Sequence, residues 1–341
     1  ITIAFVVSFI MIPAILIIIR LTHQKPPSSG RTRLIALALA AILGLGTTFG
    51  FILNTSLHKK FDISYSLFPP LESFSENGTV YSFLLQLNNI KPKGGEDSSP
   101  EIIENLKQYY IDQVEELNLN DRVVEHETAP NVIVVMSESY TDYRLICDIE
   151  TSEPIMPFYD SILDDTIHGE LQVSVFGGGT CNTEFEFLTG YSVASLLPGS
   201  SVYTFYLSDN LHAMPQLYRD HGYRTVAIHP FDPQWWDRDI AYPEIGFDQY
   251  YSQDDFVDPE YMRRFISDKS AFERIIDEYE MNSADEPLFC FTVTMQNHAD
   301  YSMRYDNQFH DIKLESFPDY SFPFTENYLS LLRESDDALK I

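Results

Sequence analysis

Cysteine and positive charge are what this chain has least of. Three cysteines, Cys147, Cys181 and Cys290, none at CxxC spacing, exclude a disulfide framework and leave room for one bridge outside the cell. Cys290 lies in an apolar run and reads as a small buried side chain, while Cys181, beside Thr180, is the thiol to watch. Lys and Arg number 22 against 51 Asp and Glu, a formal net charge of -29. Nucleic acid is disfavoured as a partner, because a phosphate backbone is held by clustered cations. An anionic small substrate would need local cation help, which a divalent metal could supply. Internal repeats and long low-complexity segments are also missing. At 341 residues and 44% hydrophobic, the chain has room for one sizeable soluble domain plus accessory segments.

Long uncharged runs, by contrast, are present. Residues 1–19 are interrupted only by Thr2, Ser8 and Pro13, and 34–53 forms a second uncharged run of about membrane-spanning length. The pair predicts two transmembrane helices. A cleaved signal peptide is the poorer reading, since the first run is too long, is followed by another and has no initiator Met. Between the runs lie Arg20, His23, Lys25, Arg31 and Arg33 without an acidic residue, which places that loop in the cytoplasm and everything after Leu53 outside. Lys59 and Lys60 soften the contrast, and Asp62, Glu72 and Glu76 soon restore it.

The expected organisation is therefore two transmembrane helices with a basic cytoplasmic loop over 1–56, a juxtamembrane helical connector over 57–129, and an extracellular domain over 130–341. The connector contains Pro69-Pro70, a loop over 91–100 and helical pieces over 79–87 and 101–117. Because the chain starts inside an apolar run and stops in the middle of an apparent helix, it is expected to be cut at both ends. From Ala129 onward strands alternate with helices: strands over 132–137, 171–176, 225–229 and 288–295, helices over 182–188, 210–220, 270–279 and 325–339. That alternation argues for an α/β fold with a mostly parallel sheet and helices on both faces.

The chemistry concentrates at the strand ends. Phe176-Gly-Gly-Gly-Thr-Cys-Asn-Thr-Glu-Phe185 is a glycine run delivering Thr180 to the start of a helix, where free N–H groups and the helix dipole favour an anion such as phosphate. Asn131-Val-Ile-Val-Val-Met-Ser-Glu138-Ser reads as a buried strand ending on a lone carboxylate. Thr180 needs a metal or a base to become a nucleophile, and Glu138 could hold that metal. The plainer alternative makes Thr180 a helix cap and the glycines a tight turn. His229 ends another strand and opens the loop Pro230-Phe-Asp-Pro-Gln-Trp-Trp236-Asp-Arg238-Asp. In that loop Arg238 could grip a phosphate at two points and Trp236 could stack on a polyol or lipid headgroup. Otherwise the loop is an aromatic plug with Arg238 paired to Asp237 or Asp239. His298 follows a fourth apolar strand through Gln296-Asn297, so polar groups of complementary type gather on one sheet edge.

These motifs, together with Gly246 to Tyr251, resemble those of the lipoteichoic acid synthase and phosphoglycerol transferase group within the alkaline phosphatase and sulfatase superfamily, over about residues 130–341. The resemblance implies a sulfatase-like fold, with Glu138 and Thr180 as metal ligands and Thr180 as nucleophile. It makes His229, Trp236, Arg238 and His298 substrate-binding residues. It implies a cell-membrane, multi-pass enzyme with an extracellular catalytic domain. Thr180 would attack phosphatidylglycerol or a related anionic lipid, release diacylglycerol, and pass glycerol phosphate to a glycolipid or growing polyglycerolphosphate acceptor. Manganese is the implied metal, with magnesium or zinc as substitutes. The family completes its metal site with an Asp-His pair on a later strand. No such pair follows His298; Asp300 and His310-Asp311 lie in a loop-like stretch, so the chain by itself is expected to be inactive. A sulfatase would need proline and arginine after a modifiable cysteine, and Cys181 is followed by Asn182 and Thr183. A phosphoethanolamine transferase, usually richer in cysteine, and a non-catalytic membrane-anchored binding protein are the remaining alternatives.

Overall fold

Four short apolar segments pair side by side to make the sheet that organises the domain. The computed structural model describes residues 70–79, 82, 99–120 and 129–341, apart from 176, 195, 197–199, 208–210, 284–285 and 318. The membrane runs, the basic loop between them and most of the helix expected over 79–87 lie outside the described residues. Among those residues, no helix is long and apolar enough to cross a membrane. Helices α1 (Pro70–Asn77) and α2 (Pro100–Asn120) belong to one compact unit; a second unit covers Asp121–Val193 and Ser201–Ile341. Pro70, within the stretch expected to be a helical connector, starts α1, since a proline at the first helical position loses no hydrogen bond.

In the second unit, β1 (Val132–Met136), β2 (Arg224–Ile228), β3 (Gln249–Tyr251) and β6 (Leu288–Val293) form a four-stranded sheet in the order β1-β6-β2-β3. Every pairing is parallel, as the strand and helix alternation predicts. Strand β6 sits inside the sheet, and all six of its residues are buried, which is why it reads as a continuous apolar run. Its side chains alternate. Leu288 and Cys290 join Val226 and Ile228 against Phe272 and Ile275 of α8 (Asp268–Met281) and Ala338 of α9 (Pro323–Ala338). Phe289 and Phe291 stack on the opposite face with Tyr218, Phe247 and Phe187. Arg224 ties the start of β2 to the end of α8, donating to Glu278 Oε2 at 2.8 Å and Asn282 Oδ1 at 3.0 Å.

Three sequence expectations change. Residues 171–175 are not a strand: Leu171 is 81% exposed, and among the described residues β1 pairs with β6 alone, so the alternating pattern joins no ladder there. The helix expected over 210–220 begins later, as α6 (Met214–Asp220), because Pro215 belongs in a first turn and disfavours helical backbone before it. The helix expected from 182 instead starts at Thr180, as α4 (Thr180–Thr189). Sequence periodicity also passed over three short helices, α3 (Pro157–Ile162), α5 (Val202–Phe205) and α7 (Arg238–Glu244), and the two-residue strands β4 (Tyr261–Met262) and β5 (Phe265–Ile266), which pair antiparallel.

Gly246, between α7 and β3, has φ +102°, and a Cβ there would lie 2.4 Å from Gln216 Cγ and 3.0 Å from Gln216 N. Gly246→Ala combines backbone strain with overpacking, so it is expected to lower stability by about 2 kcal/mol. Thermal and denaturant unfolding of the variant check this.

Candidate active site

Strand ends and one helix start gather the polar groups. The chain leaves β1 at Met136 and turns at once. The Glu138 backbone N–H donates to Thr294 Oγ1 at 3.0 Å, fixing the turn to the end of β6. Gly177, Gly178 and Gly179 have φ of 71°, 118° and 72°, a run of left-handed backbone that glycine alone adopts without strain, and it brings the chain onto α4. Thr180 is the first residue of α4. Its hydroxyl donates to Glu138 Oε2 at 3.0 Å, while Ser139 donates to Oε1 at 3.1 Å. The capping position belongs to Gly179, with no side-chain cap. The hydroxyl is thus turned toward the carboxylate rather than spent on closing the helix.

His229 follows β2 directly and is 3% exposed. Nδ1–H donates to the Val293 carbonyl at 2.9 Å, which leaves Nε2 as the acceptor nitrogen. Burial, then the charge of Arg238, pushes the imidazole well below the ordinary histidine range, so it is held neutral. His298 is exposed, two residues past a buried Gln296; its Nδ1 lies 2.8 Å from the Ala299 carbonyl, and its ring meets Phe265 edge-on at 6.0 Å. Trp236 is half-buried, within a 3-10 turn over Trp235–Asp237. Both Trp236 (φ 63°) and Asp237 (φ 55°) are left-handed, strain of the kind that collects at functional loops.

Arg238 differs from both sequence readings. It is 2% exposed, and its fork faces Glu184 of α4: Nε donates to Oε2 at 3.1 Å, Nη2 to Oε1, and Nη1 to the Trp235 carbonyl at 3.2 Å. Tyr242 donates to the same carboxylate at 2.8 Å. The two-point face expected to grip phosphate is therefore occupied, and neither Asp237 nor Asp239 takes it. A planar guanidinium matches a carboxylate in this way when both are buried, and the pair locks the Trp236 loop to the helix that starts at Thr180. Glu184 was legible in retrospect: it stands four residues after Thr180 on the same helix face.

Cys181 is fully buried beside Ser201, and burial pushes its thiol up to about 12, so it is inert. Cys147, Cys181 and Cys290 are all free. Asp268, at the start of α8, was not anticipated. It is wholly buried, accepts from Ser335 Oγ at 2.5 Å, and its backbone N–H donates to Gln296 Oε1 at 2.9 Å. Burial raises its carboxyl to about 6; the Ser335 and Thr294 hydroxyls pull it down, and the charge of Glu138 pushes it up.

Glu138 and Thr180 offer two oxygen donors of the kind a divalent cation takes. Among the described residues, no group of three or more His, Cys, Asp and Glu side chains could hold a metal ion. The pair is thus a partial shell, too sparse for tight binding by itself.

A mostly parallel α/β sheet with a hydroxyl and a carboxylate meeting at its edge defines a class. Residues 130–340 match the sulfatase family model, and the chain belongs to the sulfatase family. A Rhizobium meliloti (strain 1021) protein whose name gives it a candidate role in cyclic β-1,2-glucan modification is 33% identical over 218 residues, 63% of this chain and 33% of that protein. Lipoteichoic acid synthase 1 of Bacillus subtilis (strain 168) is 25% identical over 222 residues, 62% of this chain and 32% of that one. This chain spans about a third of the length of these curated relatives. Among solved structures, the Streptococcus pyogenes phosphoglycerol transferase GacH, in complex with sn-glycerol-1-phosphate, shares the fold with a TM-score of 0.61 at 24% identity, over 73% of this chain and 65% of that one.

Two outcomes follow from the buried charges. Glu184→Gln leaves the Arg238 guanidinium buried without its anion, so stability should fall by about 3–5 kcal/mol, and pairing it with Arg238→Met should recover part of the loss. Thermal unfolding of the single and double variants measures this. Asp268, with a folded pKa near 6 against an ordinary value of 3.8, favours the protonated fold. Its contribution is complete below about pH 4 and is lost as pH rises through 6, by about 3 kcal/mol. Asp268→Asn should remove that slope from stability measured between pH 4 and 7.

Proposed function

We propose that this protein is a membrane-anchored phosphoglycerol transferase that moves glycerol phosphate from phosphatidylglycerol, or a related anionic lipid, to an acceptor alcohol through a threonine-linked intermediate. The observation that carries the reading is the 3.0 Å hydrogen bond from Thr180 Oγ to Glu138 Oε2, made at a helix start. The carboxylate holds the hydroxyl proton and leaves an Oγ lone pair for phosphorus. The free N–H groups of the first turn of α4 favour the negative charge of the phosphoryl group.

In the first half-reaction the Thr180 Oγ–P bond forms, the bond from phosphorus to the diacylglycerol oxygen breaks, and that oxygen leaves with the proton that Thr180 gave up to Glu138. In the second, the acceptor oxygen bonds to phosphorus, the Thr180 Oγ–P bond breaks, and the acceptor's proton passes to Thr180 Oγ, which restores the free hydroxyl. His229, held neutral with Nε2 as acceptor, suits a glycerol hydroxyl better than a phosphate oxygen. Trp236 and the exposed His298 complete the headgroup contacts. Arg238, committed to Glu184, acts as a positioning residue for the Trp236 loop.

A divalent metal, manganese by resemblance with magnesium or zinc as substitutes, would take Glu138 and Thr180 as two of its ligands and lower the cost of ionising the hydroxyl. Residues 1–56 would supply two membrane helices, 57–129 the connector and 130–341 the extracellular catalytic domain. Partners would be the lipid donor, a glycolipid or polyglycerolphosphate acceptor, and the membrane. Within that family, the buried, inert Cys181 weighs against sulfate-ester hydrolysis through a modified cysteine.

In membranes carrying the full-length protein and labelled phosphatidylglycerol, Thr180→Ala should cut diacylglycerol release by at least about 10³-fold without shifting the unfolding temperature. Chelation followed by manganese should stop and restore release. Turnover retained by the alanine variant contradicts the role of Thr180.

A further inference from the structure

Arg263 is a buried cation that the mechanism above leaves unused. It sits between β4 and β5 with φ +55°, and its backbone is clamped by one side chain: Asn307 Oδ1 accepts from Arg263 N at 3.1 Å, and Asn307 Nδ2 donates to the Arg263 carbonyl at 3.0 Å. Among the described residues it makes no ion pair. Its guanidinium instead reaches the segment that carries His298. Nη2 donates to the carbonyls of Gln296 at 2.6 Å and His298 at 2.7 Å, and Nη1 to that of Asp300 at 2.8 Å. One face of the guanidinium lies over Phe265, at 5.3 Å, and it also meets the ring of Tyr301 at 5.7 Å. Phe265 in turn meets the His298 ring at 6.0 Å, and Tyr301 donates through its hydroxyl to the Asn297 carbonyl at 2.7 Å.

This arrangement is unusual on energetic grounds. A buried arginine is ordinarily compensated by a carboxylate, as Arg238 is by Glu184. Here the compensation is three carbonyl oxygens from alternate residues of one loop, all on one planar fork. A lysine could offer a charge but not donors in that fixed spread. Exposed loops stay mobile unless their backbone polar groups are tied down, and this loop is tied at each second residue from beneath.

We infer that Arg263 is the positioning residue for His298: the guanidinium holds the carbonyls of 296, 298 and 300 in one orientation and, with Phe265 packed between them, fixes the direction of the imidazole at the sheet edge. The value of this assignment for the transfer reaction rests on the reading of His298 given under the proposed function. A second consequence is electrostatic. The Arg263 charge, bonded to carbonyl oxygens and among the described residues to no carboxylate, lies beneath the substrate-facing loop of a chain whose formal net charge is -29 and would favour an anionic headgroup there.

The test has two arms on the whole protein. In the first, histidine ring signals are read by NMR with isotope-labelled histidine, His298 being assigned by its loss in His298→Ala. Arg263→Met and Arg263→Lys should both move the His298 ring signals toward those of an unrestrained mixture of tautomers, while His229, held by the Val293 carbonyl, keeps its own. Unchanged His298 signals overturn the assignment. So does a shift common to all the histidines, or unfolding of both variants, since Arg263 would then be a general packing element. In the second arm, KM for phosphatidylglycerol is measured across the cycle of Arg263→Met, His298→Ala and the pair. Each single change should raise KM by about tenfold, and the pair should be no worse than His298→Ala alone. Additive effects overturn the assignment. If His298→Ala leaves KM as it was, the substrate role of His298 fails, and the NMR arm alone decides whether Arg263 orients the ring.

Discussion

A hydrogen bond between two side chains 42 residues apart in sequence, Thr180 Oγ to Glu138 Oε2, is the contact on which the site depends. Neither partner could hold it alone. Glu138 is on a turn whose backbone is bound to Thr294 at the end of β6, so its position is set by the parallel pairing of β1 with β6. Thr180 is set by α4, which reaches the same edge because three glycines in left-handed backbone turn the chain onto it. The bond therefore reports the sheet register and the glycine turn together. A shift of one residue in either would separate the two groups.

Buried charge supports this edge from below. Arg238 and Glu184 pin the Trp236 loop to α4, Arg263 pins the His298 loop to the β4–β5 hairpin, and Asp268 joins the start of α8 to Ser335 of α9 and to Gln296. Each of these groups is costly to desolvate and is offset by directional hydrogen bonds, completely for the Arg238 and Glu184 pair and in part for Arg263 and Asp268, whose Nε and Oδ1 atoms are buried without a partner, so each has strong directional preference. The exposed groups, His298 above all, borrow their order from the buried ones. That division fits the proposed role of the site, which would admit a lipid headgroup while keeping its polar atoms fixed.

Much of this was legible in the sequence, for identifiable reasons. The apolar runs of β1, β2 and β6, and the long helices α2, α8 and α9, have periodicity strong enough to read directly, and the polar residues that end the strands follow from their placement. The meeting of Glu138 and Thr180 was expected because a strand end and a glycine-led helix start share the same edge of such a sheet. Residues 171–175 misled because alternation signals a strand only where a partner edge is open to it. Arg238 misled because a guanidinium beside tryptophan reads the same whether it faces a ligand or a buried carboxylate. Asp268, Thr294 and Arg263 carried no signal at all. Their roles arise from contacts between segments far apart in the chain, and local pattern holds no record of those.

The most direct measurement of the central claim is the covalent state of Thr180 during turnover. Protein quenched in acid while consuming phosphatidylglycerol, then digested and analysed by mass spectrometry, should carry a glycerophosphoryl group on the peptide containing Thr180, and on that residue within it. Continued release of diacylglycerol with that peptide unmodified, or with the adduct on another residue, would contradict the account.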